Sequence, residues 1–438
     1  MGLHKFLLSF NLFVFATLTV FSQNSDSVIL QLFAEQKLFQ LNKEYPSLKE
    51  NASKEIQLWT ESHIYCFFDK PEMSNQSIQE LLSSDVDWLN TEIQIALIQL
   101  LADNSLKIQN YKQVASIYKQ LIDQLKESVD TDFLITFEGR HKIYSALQNV
   151  PPMEVTYKKK REKIPIKQDL VGLLTLPVSS STNTTTLDFV LDAGAGFSMI
   201  EEKYIDDFGI KILSDSITVT SGTLSSAYAK IGVTEEINIG NITIRNVVFL
   251  ISPNKLITIE ENFRYPNYEI KGIIGFPIMK ALENITISKK ELKISKSKIN
   301  SQLNSNMMIH NNCLFIQAYD YASRIPLCFQ FDNGSANSSL SSLYLSKTME
   351  KNQNLPLDSI EITSYGGSQI FRVLKKNNFS CQIGSKQVVF PVIDIYVDDV
   401  NLTNLPIDGV IGKDVILKNK HIHFNFVNMH FYIKRRWW

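Results

Sequence analysis

Apolar residues in the first third of the chain recur at three- and four-residue spacings. From Ser27 to about Val150 this period holds, Gly is nearly absent and breaks are short, so the segment is predicted to be helical. Ile56 to Phe68 followed by Pro71 to Leu82 reads as one helical hairpin. Ile93 to Ala102 and Tyr111 to Leu125 read as a second, with a break at Asp103 to Asn110 and with Ala96, Leu100, Tyr111, Ala115 and Tyr118 on the facing sides. Its stripe of aromatics is expected to be core. Beyond Pro151 and Pro152 the period changes to two. Short runs of Val, Ile, Leu, Phe and Thr, separated by Asn, Gly and Ser, predict an all-β unit. The charge run Lys158 to Lys163 between the two regions is expected to be a solvated linker, and a second polar stretch, Ser288 to Asn306, divides the β unit in half.

The first residues bear on compartment. Met1 to about Gln23 has a short basic start, the apolar run Leu7 to Phe21 and then small or uncharged residues, the plan of a cleaved signal peptide. The apolar run falls short of the ~20 residues a membrane span needs, and no later segment is long and apolar enough to span either. The expected product is exported, to the periplasm or out of the cell. A net charge of -1, with Lys and Asp/Glu mixed along the chain, offers no basic face and excludes nucleic acid as a partner. The four cysteines lack any C-x-x-C spacing, which argues against a disulfide scaffold or a zinc site, although Cys328 and Cys381 remain a possible pair. His421 and His423 share one face of a strand but have no third ligand, so no metal and no cofactor are expected.

Laid over each other, the two halves of the β unit repeat. Leu187-Asp-Phe-Val-Leu-Asp192-Ala-Gly194 matches Leu327-Cys-Phe-Gln-Phe-Asp332-Asn-Gly334 at an offset of 140, and Ser198, Ile200 and Tyr204 match Ser338, Leu340 and Tyr344 at the same offset. Gly272-Ile-Ile-Gly275 then matches Gly409-Val-Ile-Gly412 at an offset of 137. After each comes a short helical piece (Pro277 to Leu282; Asp414 to Leu417) and a closing strand (Ile285 to Ile287; Ile422 to Phe426). One apolar-apolar-Asp-x-Gly is common. Two, each followed some 80 residues later by apolar-apolar-Gly, are not a chance pattern.

This doubled arrangement resembles the pepsin and retropepsin superfamily of aspartyl proteases, whose lobes each carry a strand ending in Asp-Thr/Ser-Gly and a later apolar-apolar-Gly strand. With the signal peptide and the helical front it resembles exported bacterial two-lobed relatives of that superfamily. The loose helical repeat, at an offset near 40, resembles a tetratricopeptide (TPR-like) array; a plain helical bundle fits it as well. The resemblance implies two retropepsin-like lobes, an all-β bilobal acid-protease-like fold, with Asp192 and Asp332 facing each other as the catalytic pair. It also implies a hairpin flap over the substrate, with Gly222 and Thr223 in lobe one and Tyr365, Gly366 and Gly367 in lobe two; ordinary hairpin turns would look the same.

The chemistry asks for this arrangement. Amide hydrolysis by water needs a base and an acid together, and two carboxyls sharing one proton supply both. Gly194 and Gly334 are expected to let the backbone turn after each Asp, and Ile274-Gly275 and Ile411-Gly412 to pack beside those loops. The hydroxyl residue that follows each Asp in the superfamily is absent: Ala193 and Asn333 stand there. The Asn333 amide is long enough to reach into the space left at Ala193. The expected organisation is a signal peptide at 1–23, a helical domain at 27–155, lobe one at 165–290 and lobe two at 307–434, acting as a monomer on polypeptide substrate. The expected activity is that of an exported aspartic endopeptidase, the alternative being a non-catalytic relative that binds extended peptide while its helical domain holds a protein partner.

Overall fold

The change of period near residue 150 is a change of architecture. The computed structural model describes residues 25–126, 131–220, 226–256, 268–300, 303–348, 355–398, 405–419 and 421–434. One unit runs from the first described residue to Pro152 and includes Met308–Asn311; the other holds Met153–Met307 and Asn312 onward. Among the described residues no helix is long and apolar enough to cross a membrane.

The first unit is built from helices Ser25–Ala34, Leu38–Leu48, Lys54–Phe67, Pro71–Leu82, Thr91–Lys107, Tyr111–Leu125 and Thr131–Leu147. Pro71 opens its helix in the first turn, where a missing N–H is harmless. Asn90 caps the next helix by accepting from the Ile93 N–H at 3.0 Å, a good start signal. Successive helices pack as neighbours, and Tyr111, Tyr118 and Tyr144 stack in the interior. The break expected from Asp103 is not there, because the helix continues to Lys107. The polar run is buried and paired instead: Asp103 holds Lys107 one turn on at 2.8 Å, Asn104 donates to Ser74 at 2.8 Å and Ser105 to the Leu101 carbonyl at 2.8 Å. Buried polar groups persist when each finds a partner, which composition alone does not reveal.

The second unit follows the doubled sequence strand for strand. Lobe one contains Leu174–Ser180, Thr186–Leu191, Ser198–Glu201, the long hairpin Ile210–Thr220 and Ser226–Ile239, then Ile242–Ser252 and the short Gly272–Ile274. Lobe two contains Cys313–Asp320, Pro326–Phe331, Ser339–Leu340, the long hairpin Leu357–Ser364 and Gly367–Ile383, then Lys386–Tyr396 and the short Gly409–Ile411. In each lobe the short late strand wedges between two early ones. Ile274 lies parallel to Leu191 while Ile273 lies antiparallel to Met199; Ile411 lies parallel to Phe331 while Val410 lies antiparallel to Ser339. The pairs Ser179 with Asn238 and Tyr319 with Gln382 close each sheet on itself into a barrel. Phe189, Phe208 and Phe249 fill the first barrel and Tyr344, Phe379 and Phe390 the second, each buried ring worth roughly 1.5–3 kcal/mol.

A five-stranded sheet joins the lobes, in the order Arg161–Pro165, Glu291–Ser295, Asn284–Ile287, His421–Asn425, His430–Lys434. Its central seam pairs Asn284 with Asn425 through Ile287 with Ile422, a strand from each lobe. The run expected as a linker is thus in part an edge strand: Glu162 and Ile164 are buried while Arg161, Lys163 and Pro165 are exposed. The exposed charges hid its period of two. The unit begins earlier still, since Glu154–Tyr157 pairs with Ile242–Arg245 of lobe one. Likewise Glu291–Ser295, inside the expected polar divider, is a strand that buries Leu292 and Ile294. Cys328 and Cys381 form no disulfide.

Candidate active site

Each aspartate stands where its lobe's wedge is made. Asp192 follows strand Thr186–Leu191 and its N–H donates to the Ile274 carbonyl at 3.0 Å; Asp332 follows Pro326–Phe331 and its N–H donates to the Ile411 carbonyl at 3.0 Å. The late strands thereby fix the two Asp-bearing loops. Gly275 and Gly412 then return a bond, their N–H groups donating to the buried hydroxyls of Ser198 at 3.1 Å and Ser338 at 3.0 Å. Ser338 in turn donates to Asp414 at 2.6 Å. A Cβ on Gly275 would lie 2.6 Å from the Phe197 carbonyl carbon, and one on Gly412 2.6 Å from that of Asn337, so only glycine lets these backbones meet.

The loops bring the carboxyls together. Asp192 Oδ1 accepts from the Gly194 N–H at 2.8 Å and Asp332 Oδ1 from the Ser335 N–H at 3.0 Å. The Gly334 N–H reaches both, 2.9 Å from Asp332 Oδ1 and 3.2 Å from Asp192 Oδ1. One N–H bonded to two carboxyls places the pair within contact of each other. The expected reason for Gly194 and Gly334 needs correction. Neither takes a positive φ. Each is glycine because the opposite carboxyl lies against it: a Cβ on Gly194 would strike the Asp332 carboxyl, and one on Gly334 would lie 2.5 Å from Asp192 Oδ2. Gly334→Ala is therefore expected to push the carboxyls out of register and lower any peptide cleavage by about a hundredfold or more, the effect of a displacement near 1 Å, measured as kcat/KM.

Asn333 holds the loops across the seam. Its side chain is fully buried; Oδ1 accepts from the Ala193 N–H at 2.9 Å and Nδ2 donates to the Leu191 carbonyl. Only one orientation of the amide satisfies both. Ala193, itself buried, offers a methyl in return, so the grip is made from lobe two alone. A second link between the lobes runs from Asn312 Nδ2 to the Gly196 carbonyl at 3.2 Å, and a third from Lys413 Nζ to the Val171 carbonyl at 3.1 Å.

Burial pushes the ionisation of both carboxyls above the ordinary range. The Asp332 charge and its hydrogen bond raise Asp192 further, whereas N–H donation from Ser335 and Gly334 draws Asp332 partway back. Both shifts favour a proton held between the two carboxyls, and the titration belongs to the pair. The side chains are half-buried, leaving a path for solvent.

Residues 178–278, from the first barrel strand through Asp192 and Gly275, match the family model for aspartyl proteases. Lobe one is an aspartyl protease domain. No curated protein matches the chain. Within that domain Gly222 and Thr223 lie outside the described residues. Their lobe-two counterparts Tyr365, Gly366 and Gly367 form the tight tip of hairpin Leu357–Ser364 and Gly367–Ile383, with φ of 92° at Gly366 and 133° at Gly367. That tip reaches the aspartyl protease domain, the Tyr365 hydroxyl donating to the Tyr228 carbonyl at 2.8 Å. Sequence reading assigned no role to Ser198 and Ser338, though their recurrence at the repeat offset was the available signal. Nothing in the sequence pointed to Ser335, Lys413 or Tyr228. His423 accepts or donates to Thr286 at 2.8 Å in the joining sheet, and among the described residues no cluster of metal-ligating side chains occurs.

Proposed function

We propose that the chain is an exported aspartic endopeptidase, with Asp192 and Asp332 activating water against a peptide bond. The reading is supported most by the Gly334 N–H bonded to both carboxyls, because only a contacting pair shares a proton. In the reaction, Asp332 takes a proton from water as the water oxygen bonds to the peptide carbon, and Asp192 delivers its proton to the carbonyl oxygen. Collapse of the resulting diol transfers a proton to the departing nitrogen and breaks the C–N bond, restoring the pair. Lobes closed around half-buried carboxyls strengthen these charge movements. Polypeptide would lie between the long hairpins as an added strand. Export is supported by the pattern of residues 1–23, which lie outside the described residues.

Incubation of the mature chain with a mixed peptide library, beside Asp332→Asn, tests the reading. Cleavage by the parent and none by the variant is expected; equal cleavage by both, or none by the parent at any pH, sinks it. The pH dependence follows from the pair. Activity rises with pH as the first proton leaves and falls as the second does. Both carboxyls are raised, so the falling limb of kcat/KM is expected well above the ordinary carboxyl value of about 4. A falling limb at or below that pH would contradict the assignment.

A further inference from the structure

We infer that Asp103 of the helical unit and Asn312 of lobe two are positioning residues for the Asp192 loop, linked through the turn His310-Asn311-Asn312. The inference rests on the peptidase reading and names what holds one of its two aspartates in place.

The turn joins strands Met307–His310 and Cys313–Asp320, neighbours in the sheet of the second barrel. Asn311 and Asn312 take positive φ of 49° and 57°, as the central residues of a two-residue hairpin turn do, and asparagine tolerates that conformation. Met308–Asn311 nevertheless group with the helices rather than with the lobe whose strand they end. Asp103 is the reason. Its carboxylate, 1% exposed, accepts the Asn311 N–H on Oδ1 at 3.0 Å and meets His310 Nδ1 with Oδ2 at 3.0 Å. The Asn311 amide nitrogen, which can only donate, lies 2.9 Å from His310 Nε2, so Nε2 accepts and Nδ1 carries the hydrogen given to Asp103. Phe67 stands edge-on to the same ring, with 5.3 Å between centroids. Lys107, equally buried, balances the carboxylate at 2.8 Å and donates to the Cys66 carbonyl at 2.7 Å. An ion pair within the helix would need Lys107 alone; Oδ1 is given to the turn.

The next residue of the turn reaches the Asp192 loop, Asn312 Nδ2 donating to the Gly196 carbonyl at 3.2 Å. Ala193, Gly194, Ala195 and Gly196 carry no polar side chain, so every hydrogen bond that fixes them is made to their backbone. The loop of lobe two braces itself. Ser335, which stands where lobe one has Ala195, gives its N–H to Asp332 Oδ1 at 3.0 Å and its hydroxyl to the Asn337 carbonyl at 3.0 Å. In lobe one that internal hydroxyl is missing and the amide of Asn312 supplies a bond from outside. Asn312 in turn follows directly on the residue whose N–H Asp103 holds.

The test measures kcat and KM on the best-cleaved library peptide, and hydrogen exchange over residues 192–198, in two variants. Asn312→Gly removes the amide and keeps the positive φ. Asp103→Leu with Lys107→Met exchanges the buried ion pair for apolar side chains of similar size, which a fold tolerates better than one unpaired charge, and leaves the turn without its acceptor. Each is expected to lower kcat on the order of ten- to a hundredfold at nearly unchanged KM, the effect of a displaced reacting group, and to speed exchange over 192–198. Combined, they should lower kcat no further than the stronger of the two, because both cut one link. Asn312→Gly, a change in a turn, decides alone if the double replacement does not fold. Parental kcat in Asn312→Gly, multiplied effects in the combination, or unchanged exchange over 192–198 overturns the inference. A parent chain that cleaves no peptide refutes the peptidase reading, and exchange then decides the link: faster over 192–198 in the variants upholds it, unchanged refutes it.

Discussion

Replacing Asp192 with Asn is expected to lower peptide cleavage by at least about a thousandfold while leaving the folded protein more stable at neutral pH. The loss follows because the amide cannot hold or deliver the proton that the carbonyl oxygen needs, and a positioned acid–base group contributes roughly 10²–10⁴-fold. The gain in stability follows from the direction of the pKa shifts. Both carboxyls ionise at higher pH in the folded chain than in the unfolded one. Their folded-state stability is fully present below the unfolded value near 4 and is lost as pH rises through the folded values. An uncharged Asn removes one of the pair and with it that loss, and its Oδ1 still accepts the Gly194 and Gly334 N–H groups. Thermal unfolding at about pH 4 should show little difference between variant and parent, and at pH 7 a higher Tm for the variant. A variant less stable than the parent at pH 7 would mean the carboxyls are not the repelling, buried pair described.

Asn333→Ala is expected to destabilise the β unit by on the order of 3 kcal/mol. It deletes two hydrogen bonds and leaves the Ala193 N–H and the Leu191 carbonyl without their partner in the interior. Denaturant unfolding measures the change. The decisive control is the double change Ala193→Thr with Asn333→Thr, which returns to each loop the hydroxyl that the superfamily resemblance implies. It should recover most of the stability that Asn333→Ala loses, and Asn333→Thr alone should recover less. Full stability in Asn333→Ala would show that the seam is held elsewhere, by Asn312 and Lys413.

The doubled strand, aspartate and glycine were legible because a repeat at an offset of 140 survives in residue identity, and both lobes fold accordingly. What the glycines are for was not legible. Their reason is a carboxyl from the other half of the unit, and contact across 140 residues leaves no local pattern. The strand Arg161–Pro165 was missed because its alternation is written in charges rather than apolar residues. Helix Thr91–Lys107 was cut short for a related reason: Asp103 and Lys107 look like a solvent-facing turn until they are seen paired in the interior. Tyr365 was picked out only as a hairpin tip. That its hydroxyl crosses to the other lobe is a tertiary fact which no spacing encodes.

The sheet that joins the lobes sets a limit on how this cleft opens. From Asn284 with Asn425 to Ile287 with Ile422, the lobes share a continuous backbone ladder, flanked on each side by a further paired strand. Spreading the lobes would unzip that ladder all at once. The joining sheet therefore fixes the floor between the lobes, while away from that ladder the Tyr365 hydroxyl ties the lobe-two hairpin to the strand of Tyr228.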